Sequence, residues 1–304
     1  MSPVLDTPSR RPGLFVALGG PPLAWLTLFF LIPMALIGAL SLGENVSLTR
    51  IAVTGTLANY AHALTPLYLR IFAKSAAFAL LTTGLCLLAG FPTALAIAFA
   101  APRAKPWLLA LVMLPFWTNL LVRTFALMAL LRPEGFMNQG LHAIWSGLAL
   151  LARGAGLHPP PFHPLALMNT DGAVLIGLVY VNLPFMVLPL YAALERMDRS
   201  LIEAARDLGA PPRTVFTRII LPLAWPGVAS GVVVTLIPAL GSYLTPDLLG
   251  APSSLMVANV IERQFHAADD WPFGAALSFV LVGVTFLALI ARAALRERRG
   301  EGAA

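Results

Sequence analysis

The stretch 200–222, SLIEAARDLGAPPRTVFTRIILP, decides how this chain is read. It holds Arg206, Arg213 and Arg218, yet it lies between two long apolar runs, 172–194 and 223–244. Asp198 or Ser200 is placed to cap a helix that carries Leu201, Ile202, Ala205 and Leu208. Gly209 is placed to end that helix in the left-handed conformation. Pro211-Pro212 then opens a second short helix, where the missing N–H of proline costs nothing. That helix carries Val215, Phe216, Ile219 and Ile220 on one side, and Pro222 is expected to close it. A polar helix–turn–helix held between membrane segments is a place to receive a force. Leu201, Ile202 and Leu208 offer an apolar ridge to a partner's groove, and the small Ala204 and Ala205 permit close approach. Glu203, Arg206 and Asp207 can pair at the rim. The rhythm also resembles a DNA-binding helix-turn-helix, but its position between two spans argues against that. An amphipathic loop lying on the lipid surface is the plainer alternative.

The rest of the chain supports the membrane setting. It is 58% hydrophobic and only 11% charged, against about 25% charged residues in soluble domains. Six stretches are long enough to cross a bilayer: roughly 14–41, 71–101, 107–131, 172–194, 223–244 and 272–294. The expectation is an all-α polytopic membrane protein with six transmembrane helices, one domain over 1–304. Residues 1–70 supply a tail, a first span and an outer loop; 71–295 form a five-span core that contains the 195–222 loop. Ser9-Arg10-Arg11 hints at a twin-arginine leader, but the apolar stretch behind it is longer than a cleaved leader's core, so a retained anchor is expected.

Basic residues set the direction. With the N-terminus inside, the inner segments hold Arg10, Arg11, Arg103, Lys105, Arg196, Arg199, Arg206, Arg213, Arg218, Arg292, Arg296, Arg298 and Arg299. The outer segments hold Arg50, Arg70, Arg132, Arg153 and Arg263. This is a positive-inside bias that puts both termini and the 200–222 stretch on the cytoplasmic side. It also accounts for the net charge of +6 without nucleic acid. The single cysteine, Cys86, lies in an apolar span, so neither an intrachain disulfide nor a cysteine metal set is expected.

The spacing Glu203-Ala204-Ala205, three residues, Gly209, nine residues, Ile219, one residue, Leu221-Pro222 resembles the EAA signature of the membrane subunits of binding-protein-dependent ABC importers. Two further stretches, LPFWTNLLVRTFALMALL (114–131) and GSYLTPDLLGAPSSLMVANVIERQFHAADDWPFGAALSF (241–279), resemble the spermidine/putrescine permease group. Ala251 departs from that group's usual second glycine and Asn119 from its common serine. The resemblance implies a type I importer permease fold paired with a second, identical or homologous permease subunit. It implies an ATP-binding subunit docked on Glu203 to Gly209 and an extracytoplasmic solute-binding protein. ATP and Mg would belong to the ATPase partner; this chain contains no Gly-x-x-x-x-Gly-Lys-Ser/Thr phosphate loop. The implied cargo is putrescine, spermidine or a related small cation, with an opine or amino-acid derivative as the alternative within the same class. An ATPase-independent secondary transporter is the alternative outside it.

Within the spans, Trp117, Asn119, Arg123, Tyr180, Asn182 and Tyr243 are the candidate translocation pathway. Aromatic rings suit an ammonium ligand, although they also gather at membrane interfaces. A charge at the bilayer centre costs at least about 2.5 kcal/mol, so Arg123 should face protein or water. Whether it serves the pathway or bonds a helix end is open. Arg70 and Lys74 share one helix face and are expected to snorkel to the headgroups. Pro115, Pro184, Pro189 and Pro238 are expected to kink their helices. Asp247, Glu262, Asp269 and Asp270 read as solvated loop or as a surface for a basic partner.

Overall fold

A computed structural model describes residues 12–47, 50–155 and 158–300. Arg10 and Arg11 lie outside the described residues, as do the side chains of Arg292, Arg296, Arg298 and Arg299. The chain opens with α1 (Pro12–Leu26), a π-turn (Thr27–Leu31) and α2 (Ile32–Ser41). A hairpin of β1 (Gly43–Ser47) and β2 (Arg50–Val53) comes next, then α3 (Ala58–Ala63) and the long α4 (Pro66–Ala98). The chain continues through α5 (Lys105–Trp117), α6 (Leu120–Leu131), α7 (Phe136–Gly154) and α8 (Asp171–Glu195). The polar stretch forms α9 (Ser200–Asp207) and α10 (Pro212–Val215), and a second π-turn (Phe216–Ile220) leads into α11 (Leu221–Leu240). The chain ends with α12 (Leu244–Leu249), a 3-10 turn (Pro252–Ser254), α13 (Val257–His266) and α14 (Trp271–Gly300).

The fold is mostly helical, as composition implies; the antiparallel β1–β2 pair is the departure from an all-α chain. Among the described residues, four helical stretches are long and apolar enough to cross a membrane: Gly19–Ser41, Pro66–Ala98, Asp171–Glu195 and Pro212–Leu240. A fifth arises if α5 and the stretch Leu120–Gly154 count as one broken span. Trp271–Leu287 adds a shorter apolar helix of 17 residues that overlaps the expected sixth span.

The expected third span, 107–131, is not one straight helix: the chain bends by 94° between α5 and the stretch Leu120–Gly154. Pro115 has no N–H for the carbonyl four residues earlier. Thr118 leaves the helix with ψ 149° and donates its hydroxyl to the Pro115 carbonyl at 2.7 Å. Asn119 then caps α6 by accepting from the Leu121 N–H at 2.8 Å. The stretch 132–171 between this broken span and α8 contains the 19-residue α7.

Two compact units are formed. In the first, residues 1–65 with 263–304, α14 packs on α2 and α3. Gly38 permits this approach, since a Cβ there would lie 3.1 Å from the Phe279 ring. The Ser41 hydroxyl meets the Tyr60 hydroxyl at 2.8 Å, and His62 stacks on Phe273 at 4.5 Å. Asp270 accepts from the Asn45 amide and from the Phe273 N–H at the start of α14.

In the second unit, residues 66–262, α4, α8 and α11 pack around Cys86, Ala94, Met186, Val187 and Leu190. Small residues let these backbones approach, as membrane helices require. A Cβ on Gly231 would lie 2.8 Å from the Met186 sulfur, and one on Gly227 would lie 2.6 Å from Ala193 Cβ. The segment 241–259 folds onto the third turn of α4 and the start of α8. Val257 N–H donates to Ser75 Oγ at 2.7 Å, Asn169 N–H to the Leu249 carbonyl at 3.0 Å, and Asn259 Nδ2 to the Tyr243 carbonyl at 2.7 Å.

Lys74 corrects the expectation of snorkelling. Its ammonium turns inward onto this segment, pairing with Asp171 at 3.2 Å and donating to the Ser253 carbonyl at 2.6 Å. Protein acceptors outcompete headgroups here because they are already within the reach of the four-carbon stem.

Candidate functional site

The polar stretch folds as a helix, a tight turn and a re-entry into α11. Asp198 accepts from the Ser200 N–H at 3.0 Å and so caps the start of α9. That backbone bond, and then the Ser200 hydroxyl, holds the Asp198 carboxyl below the usual carboxylate range. A lowered carboxylate pKa stabilises the fold at neutral pH, and the contribution is lost as pH falls through it.

Gly209 takes φ +77°. The Gly209 N–H donates to Arg206 O at 2.9 Å and the Ala210 N–H to Ala205 O at 3.0 Å. This paired closure is the Schellman form of a helix end. No atom lies within 4 Å of where a Gly209 Cβ would stand, so the glycine is required by backbone conformation alone. Gly209→Ala is therefore expected to destabilise the turn by about 1–2 kcal/mol. Faster amide exchange across 205–212, with an unchanged rate in α8, checks it; equal exchange in both segments removes the argument.

The helix α9 has two faces with separate jobs. Ile202 is buried, together with Val215 and Ile220, in the cluster of Ala94, Ile97, Leu190 and Leu194, and Ala205 and Ile219 pack against that cluster. Ile202 therefore does not belong to the outward ridge that the sequence suggested; burying such a side chain is worth about 1.5–3 kcal/mol. Leu201, Ala204 and Leu208 form the outward face, and Leu208 is 88% exposed. Glu203, Arg206 and Asp207 lie beside it, all three exposed.

Polar ties, which sequence reading did not single out, fix the base of this loop. Arg199 donates to the Ala98 carbonyl at 2.7 Å, closing the last turn of α4, and stands over the Phe99 ring at 5.3 Å. Lys105 at the start of α5 meets both oxygens of Glu195 at 2.6 Å. Opposite charges at the ends of neighbouring spans were the available clue.

Pro222 does not close the second helix. The stretch Pro212–Leu240 runs through as one helix, because the π-turn takes the Leu221 N–H back to the Phe216 carbonyl. A five-residue bond of this kind absorbs the donor that Pro222 lacks. Leu221 and Pro222 are exposed on the first turn of α11.

The six candidate pathway residues are dispersed. Arg123 is buried; it donates to the Thr118 carbonyl at 2.9 Å, and its Nε has no partner among the described residues. It thus caps the chain break between α5 and α6. Asn119 is the α6 cap, and Trp117 is 78% exposed. Asn182 is buried and donates to Leu178 O within its own helix at 2.8 Å. Tyr180 and Tyr243 are exposed. Trp117, Asn119 and Arg123 thus share the break between α5 and α6, while Asn182 bonds within α8 and Tyr180 and Tyr243 stand exposed.

Residues 87–300 match the family described as binding-protein-dependent transport system inner membrane component. The chain is 40% identical over 266 residues to the spermidine/putrescine transport system permease protein PotB of Escherichia coli strain K12, covering 88% of this chain and 92% of that one. It is 34% identical over 235 residues to the inner membrane ABC transporter permease protein YdcU of the same strain, covering 77% of this chain and 73% of that protein. The crystal structure of a bacterial ABC transporter involved in the import of the acidic polysaccharide alginate shares the fold, with TM-score 0.69 at 19% identity over 95% of this chain and 96% of that chain. With the matched region running through α9, its glycine closure and the helix leading into α11, the chain belongs to the family of inner membrane components of binding-protein-dependent transport systems.

Proposed function

We propose that this chain is one permease subunit of an ATP-driven importer of putrescine, spermidine or a closely related cationic amine. The observation that carries the coupling part is the division of α9. Ile202 is sunk in the α4–α8–α11 core while Glu203, Ala204 and Leu208 face out. An ATP-binding subunit that grips the outer face moves the core through the inner one. ATP and Mg act on that partner. The likeness to PotB over most of both chains supports the polyamine cargo.

In this reading the chain is multi-pass in the bacterial inner membrane, as one domain over 1–304, and both termini are cytoplasmic. Six spans result when the broken 105–154 stretch and α14 each count as one. The chain pairs with a second permease subunit, related or identical, and receives solute from an extracytoplasmic binding protein. Trp117, Asn119, Arg123, Tyr180, Asn182 and Tyr243 stay candidates for the pathway formed with that second subunit, Arg123 chiefly by holding the break between α5 and α6.

Mild-detergent purification of the tagged chain from its native membrane tests both parts. An ATP-binding subunit and a second permease are expected to come with it. The assembly in proteoliposomes, with its binding protein, is expected to take up labelled spermidine or putrescine only when ATP is supplied. Purification of the folded chain alone defeats the coupling part. An ATP-driven assembly that ignores both amines defeats the cargo part.

A further inference from the structure

The third and fourth turns of α4 and the start of α8 build a cradle that the proposed coupling and pathway do not use. Lys74 Nζ lies 3.2 Å from Asp171 Oδ1, 2.6 Å from the Ser253 carbonyl and 5.3 Å from the centre of the Phe78 ring. Ser254 donates its hydroxyl to the same Asp171 oxygen at 2.5 Å, and so holds the carboxylate in place. Ser254 is itself 1% exposed. Its own position is set by the close turn at Gly250, where a Cβ would lie 2.8 Å from Ser254 Cβ. The cradle thus presents a carboxylate, a carbonyl and an aromatic face to one ammonium. An ammonium has three donors and no acceptor, and an aromatic face attracts it. Nothing in this set is particular to lysine; any R–NH3+ group satisfies it.

The cradle is also within reach of solvent. The Lys74 side chain is 31% exposed and that of Asp171 57%. A half-exposed ion pair is weakly held. Replacing one ammonium by another on the same acceptors leaves the number of bonds unchanged, so the exchange is governed by concentration.

We propose that Asp171, the Ser253 carbonyl and the Phe78 ring form a primary-ammonium subsite, occupied in the empty protein by the tethered amine of Lys74, which an incoming substrate amine displaces. Displacement frees Lys74 from the 241–259 segment, so arrival of substrate is felt where that segment is pinned to α4 and α8. The identity of the displacing amine rests on the polyamine reading; the subsite itself does not.

Full-length protein in nanodiscs, wild type and Lys74→Ala, is heated in ethylammonium chloride and in sodium chloride at equal ionic strength. Ethylammonium is expected to raise the unfolding midpoint of Lys74→Ala by about 2–4 °C over sodium, to leave wild type unmoved, and to lose its effect in Lys74→Ala/Asp171→Asn. Spermidine is expected to reproduce the rise in Lys74→Ala at a concentration at least about tenfold below that needed for any effect on wild type. Lys74→Gln, which removes the ammonium but keeps most of the stem, serves if the alanine variant does not fold. Equal midpoints in the two salts make Lys74 a strut and overturn the subsite. Rescue by ethylammonium with none by spermidine or putrescine upholds the subsite and overturns the polyamine as its ligand.

Discussion

Glu203→Lys is expected to insert and fold as the parent does while ATP-driven uptake falls about 100-fold or more. Glu203 is exposed, and the anchoring of α9 is carried on the other side by Ile202 and by Arg199 on Ala98 O. Reversing its charge therefore leaves those anchors in place. It does place a like charge against whatever basic group of the ATP-binding subunit Glu203 meets, and a disrupted interfacial charge pair costs about 2–5 kcal/mol. Uptake in intact cells, with the amount of ATP-binding subunit retained on the tagged chain, is the measurement. Normal uptake together with normal retention would falsify the docking role of α9. Ile202→Asp is the contrasting variant: it buries a charge in the core and is expected to lower the yield of folded protein before any question of coupling arises.

A large loss of stability is expected for Gly250→Ala. A Cβ there would stand 2.6 Å from the Pro246 carbonyl oxygen, 2.8 Å from Ser254 Cβ and 2.8 Å from Val174 Cγ2. The nearest of these is backbone, and Val174 is fully buried against α4. Gly250 itself has φ −91°, which any residue adopts, so the cost of Gly250→Ala is overpacking and not backbone strain. Overpacking of this kind costs about 1–3 kcal/mol and at times more. The control is Gly84→Ala in the middle of α4, where no atom lies within 4 Å and alanine is the better helix former. Thermal unfolding of the two variants side by side should separate them clearly. Coinciding midpoints would show that the 246–254 turn yields to a methyl group, against the geometry described.

The contrast between these sites reflects what can be read along the chain and what cannot. The start of α9, its end at Gly209 and the proline opening of α10 are legible because each depends on a few consecutive residues: an Asp that accepts two residues on, a glycine at positive φ, a proline at the first helical position. The break after Pro115 is half legible. The proline announces a disturbance, but the 94° bend depends also on Thr118 and Asn119 bonding as they do. The passage through Pro222 is the reverse case. A proline says that a donor is missing, and only the π-turn from Phe216 shows that the helix continues past it.

Composition and spacing alone settle that this chain is a helical membrane protein with a polar helix–turn–helix before Leu221, because hydropathy and helix ends are local properties of ten to thirty residues. Packing decides the rest. That Ile202 faces in while Leu201 and Leu208 face out depends on where α4, α8 and α11 leave room. That Lys74 reaches Asp171 and Ser253, 97 and 179 residues away, depends on the 241–259 segment folding back over α4 and the start of α8. Side chains so far apart in sequence acquire a partner only when tertiary structure brings the backbones together, and no periodicity along the chain encodes that meeting.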